Sequence, residues 1–164
     1  HAVEDVVAQA LSYEIDMVEV TGGEPLAQRQ CTVLLQQLVD AGRTVLLETS
    51  GSRPIDVVPD GVHIIMDLKA PSSGEVDANL WSNLDHLDAD DELKIIIADR
   101  EDYVWAREHI ATRKLADICP VGLSPAWGLI DPKDLVRWLL EDKLPVRLNI
   151  QIHKVIWPSE TAGV

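Results

Sequence analysis

Short apolar runs that alternate with amphipathic stretches, with few residues between one and the next, leave this chain few ways to fold. Met17–Thr21, Thr44–Glu48, Val62–Leu68, Leu93–Ala98, Pro120–Ser124 and Val146–His153 read as strands. Between them, residues 2–12 place Val3, Val6, Val7, Ala10 and Leu11 at helical spacing, with Glu4, Asp5 and Gln9 on the other side. Val33, Leu34, Leu38 and Ala41 repeat the helical period, and Gly42 supplies a stop. Tyr103–Ala116 forms a third helix. Asp131-Pro132 opens a fourth, carrying Leu135, Val136, Leu139 and Leu140, with an N-cap acid ahead of a first-turn proline. Residues 76–86 read as a weakly periodic helix, and Pro54–Gly61 as a turn or loop. Strands joined through helices by short connections run parallel, so the predicted fold is α/β. No internal repeat or linker interrupts it, and residues 1–164 read as one domain.

Composition narrows the function classes. At 164 residues, 46% of them hydrophobic and 26% charged, the chain can bury a core and is not of disordered type. A net charge of −14 argues against a general nucleic-acid surface, and no apolar run approaches the roughly 20 residues of a bilayer span. Two distant cysteines, Cys31 and Cys119, form no metal spacing and suit free thiols in a reducing cytoplasm. No GxSxG elbow, Walker loop, GxGxxG or HExxH is present.

The polar residues collect where strands end. Thr21-Gly22-Gly23-Glu24, Glu48-Thr49-Ser50, Asp67 with Lys69, Ser124, and Gln151 with His153 all fall at or just past C-terminal strand ends. Parallel sheets and barrels bind ligands along that edge. In Gly22-Gly23-Glu24-Pro25 the glycines permit close backbone approach, and Pro25 drives Glu24 to an extended conformation that aims its carboxylate. Such a turn suits a ligand with an ammonium and acceptor atoms; the competing reading is a tight loop with a solvated acid. Glu48, inside an apolar run, is either an acceptor for a ligand hydroxyl, the favoured reading, or half of an ion pair. Lys69 is equally suited to pair with Asp67 or to reach a ligand carboxylate. Lys94 enters its strand and reads as structural. Gln151 and His153 share a strand face by the two-residue period, where a hydrogen-bonded core histidine competes with a ligand role.

On Thr21-Gly22-Gly23-Glu24-Pro25, Glu48-Thr49-Ser50-Gly51, Asp67-Leu68-Lys69-Ala70-Pro71, Ser73-Gly74-Glu75, Leu93-Lys94 and Gln151-Ile152-His153-Lys154, the chain resembles the radical S-adenosylmethionine superfamily. More narrowly, it resembles the 7-carboxy-7-deazaguanine synthase family within it. The resemblance implies a partial (β/α) barrel. It places S-adenosylmethionine against Gly22, Gly23, Glu24, Glu48, Ser50, Asp67, Leu68 and Lys69, and a pterin substrate against Thr21 and His153. It implies radical ring contraction of 6-carboxy-5,6,7,8-tetrahydropterin to 7-carboxy-7-deazaguanine with loss of ammonia, in queuosine and related 7-deazapurine synthesis. Family members use a [4Fe-4S] cluster and Mg²⁺ and tend to be homodimers; no direct nucleic-acid or membrane partner is implied. One departure is plain: the cluster sits on three close cysteines, usually CxxxCxxC, and this sequence has two distant ones. The expectation is therefore a piece of a longer enzyme, its first strand and cluster loop preceding His1, inactive as it stands. The alternative is a cluster-free ligand-binding or interaction module on the same fold.

Overall fold

The structure is a computed structural model that describes residues 2–157 and, for His153, the backbone alone. Six strands form one parallel sheet: β1 Met17–Val20, β2 Thr44–Thr49, β3 Val62–Leu68, β4 Glu92–Ile97, β5 Val121–Pro125 and β6 Arg147–Leu148. The helices are α1 Val3–Ser12, α2 Cys31–Asp40, α3 Arg100–Thr112, α4 Leu115–Ile118, α5 Pro132–Asp142 and α6 Ile152–Ile156.

Strand order across the sheet follows the sequence, β1 through β6. Every crossover therefore steps the same way. Because parallel crossovers are right-handed, they all fall on one face of the sheet. Val45 and Leu47 of β2 pack there against Leu35 and Leu38 of α2. Leu93, Ile95 and Ile97 of β4 join Tyr103, Ala106 and Ile110 of α3 in a second buried cluster. The intervening residues, Glu19, Glu48, Asp67, Lys94 and Ser124, point to the opposite face, which no crossover helix covers. A sheet wound in one direction, helices outside and ends unjoined, is a partial barrel.

Three elements differ from the sequence reading. Only Arg147–Leu148 of the predicted strand Val146–His153 is a strand. Past Leu123 the ladder loses its neighbour: Pro125 has no N–H, and Ala126 N donates to Ile97 O at 2.8 Å, carrying the β5 exit toward β4. Ile152, Val155 and Ile156, at helical spacing, then form α6. The stretch 76–86 is two 3₁₀ segments, Val76–Ala78 and Trp81–His86, not a helix. Its Asn79 and Asn83 side chains bond to distant backbone, which competes with a regular helix. α3 starts three residues early because Asp99 caps it, accepting from Asp102 N at 2.9 Å, and the helix expected to run to Ala116 stops at Thr112, where left-handed Lys114 (φ 53°) separates it from α4.

Among the described residues no strand pairs with the outer edge of β1, and Tyr13, Ile15 and Met17 beside it are 64%, 59% and 58% exposed. Such edges template pairing with another chain. This 164-residue polypeptide is expected to gain mass with concentration in light scattering, and Ile15→Lys with Met17→Lys to suppress that gain. A wild type that stays a monodisperse monomer at high concentration contradicts it.

Candidate functional site

The C-terminal edge of the sheet is built around Glu24. β1 ends at Val20, and the chain turns through Gly22, whose φ of 142° is open to glycine but strained for other residues. A Cβ on Gly22 or Gly23 would meet nothing within 4 Å, so this stretch of backbone faces open space. Glu24 is extended, φ −142° and ψ 103°, as Pro25 requires. Its carboxylate accepts from Leu26 N at 3.0 Å, Thr49 Oγ1 at 2.9 Å, Ser50 N at 2.8 Å and Ser50 Oγ at 2.5 Å. These bonds tie the exit of β1 to the exit of β2. Burial pushes the Glu24 pKa up, but the Ser50, Leu26 and Thr49 donors together outweigh it and hold the group below its ordinary value. Four donors fill the lone-pair positions of the carboxylate. Two are hydroxyls, and Ser50 Oγ also lies 2.9 Å from Ser52 Oγ, so it has a second partner when an ammonium takes its place.

Glu48 stands one strand over on the bare face. Thr21 Oγ1 donates to its Oε2 at 2.9 Å, and Lys94 Nζ from β4 pairs with its Oε1. Glu48 is half of an ion pair with Lys94, the reading not favoured from the sequence, and it also lines a cavity. That cavity, about 280 Å³, is lined by Glu19, Glu48, Lys94, Ile96, Ser124 and Asn149 among others. Lys94 is thus part of the cleft floor as well as structural. Burial raises the Glu48 pKa, and the Lys94 bond and charge, Thr21 and Lys69 bring it below the usual value.

Lys69 Nζ donates to Asp67 Oδ2 at 2.8 Å, which decides its partner in this structure. Asp67 Oδ1 is buried with no hydrogen-bond partner. Both residues line a cavity of about 210 Å³ that includes Ser72, Ile96, Ala98 and Leu129. Leu68 belongs to the helix-side core and is also among the residues that line this cavity. His153 does not share a strand face with Gln151, because it lies in α6; its side chain is outside what the structure describes.

Three buried polar residues that sequence reasoning missed hold the cleft loops. Asn79 bonds both the N–H and the carbonyl of Lys69, each at 2.9 Å. Asn83 donates to Gly51 O at 3.1 Å and Arg53 O at 2.8 Å. Asp102, 0% exposed, accepts from Ser72 N and Ala98 N at 2.9 Å and from the Ser72 hydroxyl. The spacing Asp99-x-x-Asp102 signals a helix start, but nothing in it signals a partner thirty residues away.

The residues described do not fit an iron–sulfur cluster or Mg²⁺. No group of three His, Cys, Asp or Glu among them is arranged to hold a metal. Cys31 and Cys119 are both buried. Burial, and secondarily Glu24, raises the Cys31 thiol pKa; burial, with Asp91 next, pushes Cys119 up to about 11, so neither is a ready thiolate. No helix among the described residues is long and apolar enough to cross a membrane.

Known proteins supply relatives. No protein-family model matches the chain. The 7-carboxy-7-deazaguanine synthase of Chlorobaculum tepidum is 40% identical over 165 residues, covering 99% of this chain and 75% of that protein. The protein of the same name from Koribacter versatilis is 45% identical over 162 residues, 90% and 72% of the two chains. That of Methanospirillum hungatei is 36% identical over 156 residues, 94% and 64%. The crystal structure of QueE from Escherichia coli superposes with a TM-score of 0.71 at 21% identity, over 92% of this chain and 64% of that one. Streptococcus suis SuiB bound to S-adenosylmethionine gives 0.62 at 11% identity, over 92% and 44%. At those identities the two structures speak to the fold alone.

The Glu24 hub has a measurable pH signature. A carboxylate whose folded pKa lies below its unfolded one contributes stability above the unfolded value of about 4.3, and loses it as pH falls through the folded value. Glu24→Gln is expected to cost about 1–2 kcal/mol in urea unfolding at pH 7. The gap to wild type should close as pH drops below about 4. A gap that is absent at pH 7, or that widens in acid, contradicts the hub.

Proposed function

The chain belongs to the 7-carboxy-7-deazaguanine synthase family, and we propose that its C-terminal sheet edge is the cleft where this family holds S-adenosylmethionine beside a pterin carboxylate. The observation that carries the reading is that three loop exits gather on one edge of the sheet: the Glu24 carboxylate joins Gly22–Glu24 to Glu48–Ser50, and Glu48 and Asp67–Lys69 line two cavities that share Ile96. Bound there, S-adenosylmethionine would bring the radical chemistry that the family directs at the ring contraction of 6-carboxy-5,6,7,8-tetrahydropterin to 7-carboxy-7-deazaguanine, within queuosine and related 7-deazapurine synthesis.

The chain's own residues divide the work of binding. Gly22 and Gly23 leave the backbone open to close approach, and Glu24, anionic and fixed, faces the methionyl ammonium once a serine or threonine hydroxyl gives way. Ser50, Glu48 and the segment Asp67, Leu68 and Lys69 border the rest of the cofactor, with the unpartnered Asp67 Oδ1 as a waiting acceptor. Thr21 and His153 meet the pterin. The work is carried on one α/β domain. Exposed Trp127, Leu129, Ile152 and Val155 suit a homodimer contact, and the free thiols suit a reducing cytoplasm. Because nothing described here fits a cluster, a second reading stands beside the first: a binding module that holds the same ligands without redox chemistry.

The two readings separate in one series. Calorimetry with S-adenosylmethionine should saturate without iron, and Gly23→Val should weaken binding by about tenfold, roughly 1.4 kcal/mol. The 164-residue polypeptide with dithionite should release no 5′-deoxyadenosine. A version carrying a CxxxCxxC segment at its N-terminus, reconstituted with iron and sulfide, should release it and form the deazaguanine. Absence of saturable binding overturns both readings; binding with no product from the reconstituted form overturns the enzyme and leaves the module.

A further inference from the structure

Lys94, Glu48 and Thr21 form a line of three hydrogen-bonding groups along the bare face, and their chemistry sets a direction. Lys94 has protons only to give. It gives one to Glu48 Oε1, and Glu48 Oε2 receives the single hydroxyl proton of Thr21 at 2.9 Å. An ionised Glu48 has no proton to offer in return. Thr21 has then spent its only donor on Glu48, and to any other partner it offers lone pairs alone.

We propose that Lys94 is a positioning residue for substrate recognition: by holding Glu48 it fixes Thr21 as a pure acceptor, so this end of the cleft takes the N–H-rich aminopyrimidine edge of the heterocycle. The inference rests on the pterin reading above and adds the orientation of the ligand and the residue that sets it. The opposite orientation is disfavoured on two counts. A carboxylate only accepts hydrogen bonds, so it finds no donor at Thr21. It would also approach Glu48, to which Thr21 is bonded, and Glu19, which lines a cavity with Glu48.

The charged groups described around Glu48 are Glu19 from β1, Asp67 from β3, Lys69 just past its end, and Lys94 from β4. Lys69 is already paired with Asp67. Removal of Lys94 therefore leaves Glu48 without its direct cation, and its pKa rises. In Glu48→Gln the lysine still demands an acceptor, which turns the amide oxygen toward Lys94 and the amide N–H toward Thr21. Thr21 then accepts inward and donates outward. The polarity of the site reverses.

The test is fluorescence titration of the full chain with 6-carboxypterin and with 6-carboxylumazine, in which an oxo acceptor replaces the 2-amino donor. Wild type is expected to favour the pterin about tenfold, with little change from pH 5 to 8. Glu48→Gln should bring the two ligands level or invert the preference. Lys94→Met should level them and make pterin affinity fall on acidification through the same window, whereas Lys94→Arg keeps the wild-type pattern. Equal affinities in wild type overturn the inference. So does an unchanged ratio with a flat pH profile in Glu48→Gln and Lys94→Met variants that melt cooperatively. If either variant does not fold, the wild-type ratio decides. Failure of wild type to bind either ligand overturns the pterin reading itself, and this inference with it.

Discussion

All of this depends on one constraint: right-handed crossovers between parallel strands laid down in sequence order. Each crossover must put its helix on the same face, so the other face of the sheet is left to the side chains of the strands. A doubly wound sheet of the same strands would have covered both. The period-two alternation then assigns every second residue to a surface that no helix seals, and polar residues there cost far less than in the core. The site follows from the winding.

The bare face carries acids in pairs with bases. Glu48 pairs with Lys94, Asp67 with Lys69, and Glu92 with Arg147 at 2.7 Å. Gly122 makes room for the last of these, because a Cβ there would lie 3.0 Å from Glu92 Oε1. Local pairing explains how a chain of net charge −14 presents a cleft that is not simply acidic. Along the C-terminal edge a second set of polar groups acts on backbone: Glu24, Asn79, Asn83 and Asp102 each gather the N–H or carbonyl groups of loops distant in sequence. The edge is therefore held by hydrogen bonds, and its geometry is set before a ligand arrives.

Much of this was legible in the sequence. The first five strands and the helices α1, α2 and α5 lie within a few residues of where apolar periodicity puts them, and Asp131 caps α5 through Lys133 N at 2.9 Å as its place before Pro132 implied. The loop exits that carry Thr21–Glu24, Glu48–Ser50 and Asp67–Lys69 were legible as strand ends. What the sequence could not carry was pairing at a distance. Lys94 meets Glu48 across the intervening β3, and Asp102 meets Ser72 across thirty residues; neither pair has a spacing to recognise. The last strand misled because Ile150 and Ile152 alternate while Ile152, Val155 and Ile156 fit a helix, and the loss of a pairing neighbour after Leu123 decided between them.

The central claim is that ligands bind along the C-terminal edge, on the uncovered face. Backbone amide NMR of the ¹⁵N-labelled chain, titrated with S-adenosylmethionine, tests it residue by residue. The expected result is a saturable set of shifts confined to Thr21–Leu26, Glu48–Gly51 and Asp67–Ser73, with the strand entries near Thr44, Val62 and Glu92 unmoved. Shifts centred on those entries or on the outer helices, with the Gly22–Glu24 turn silent, would contradict it.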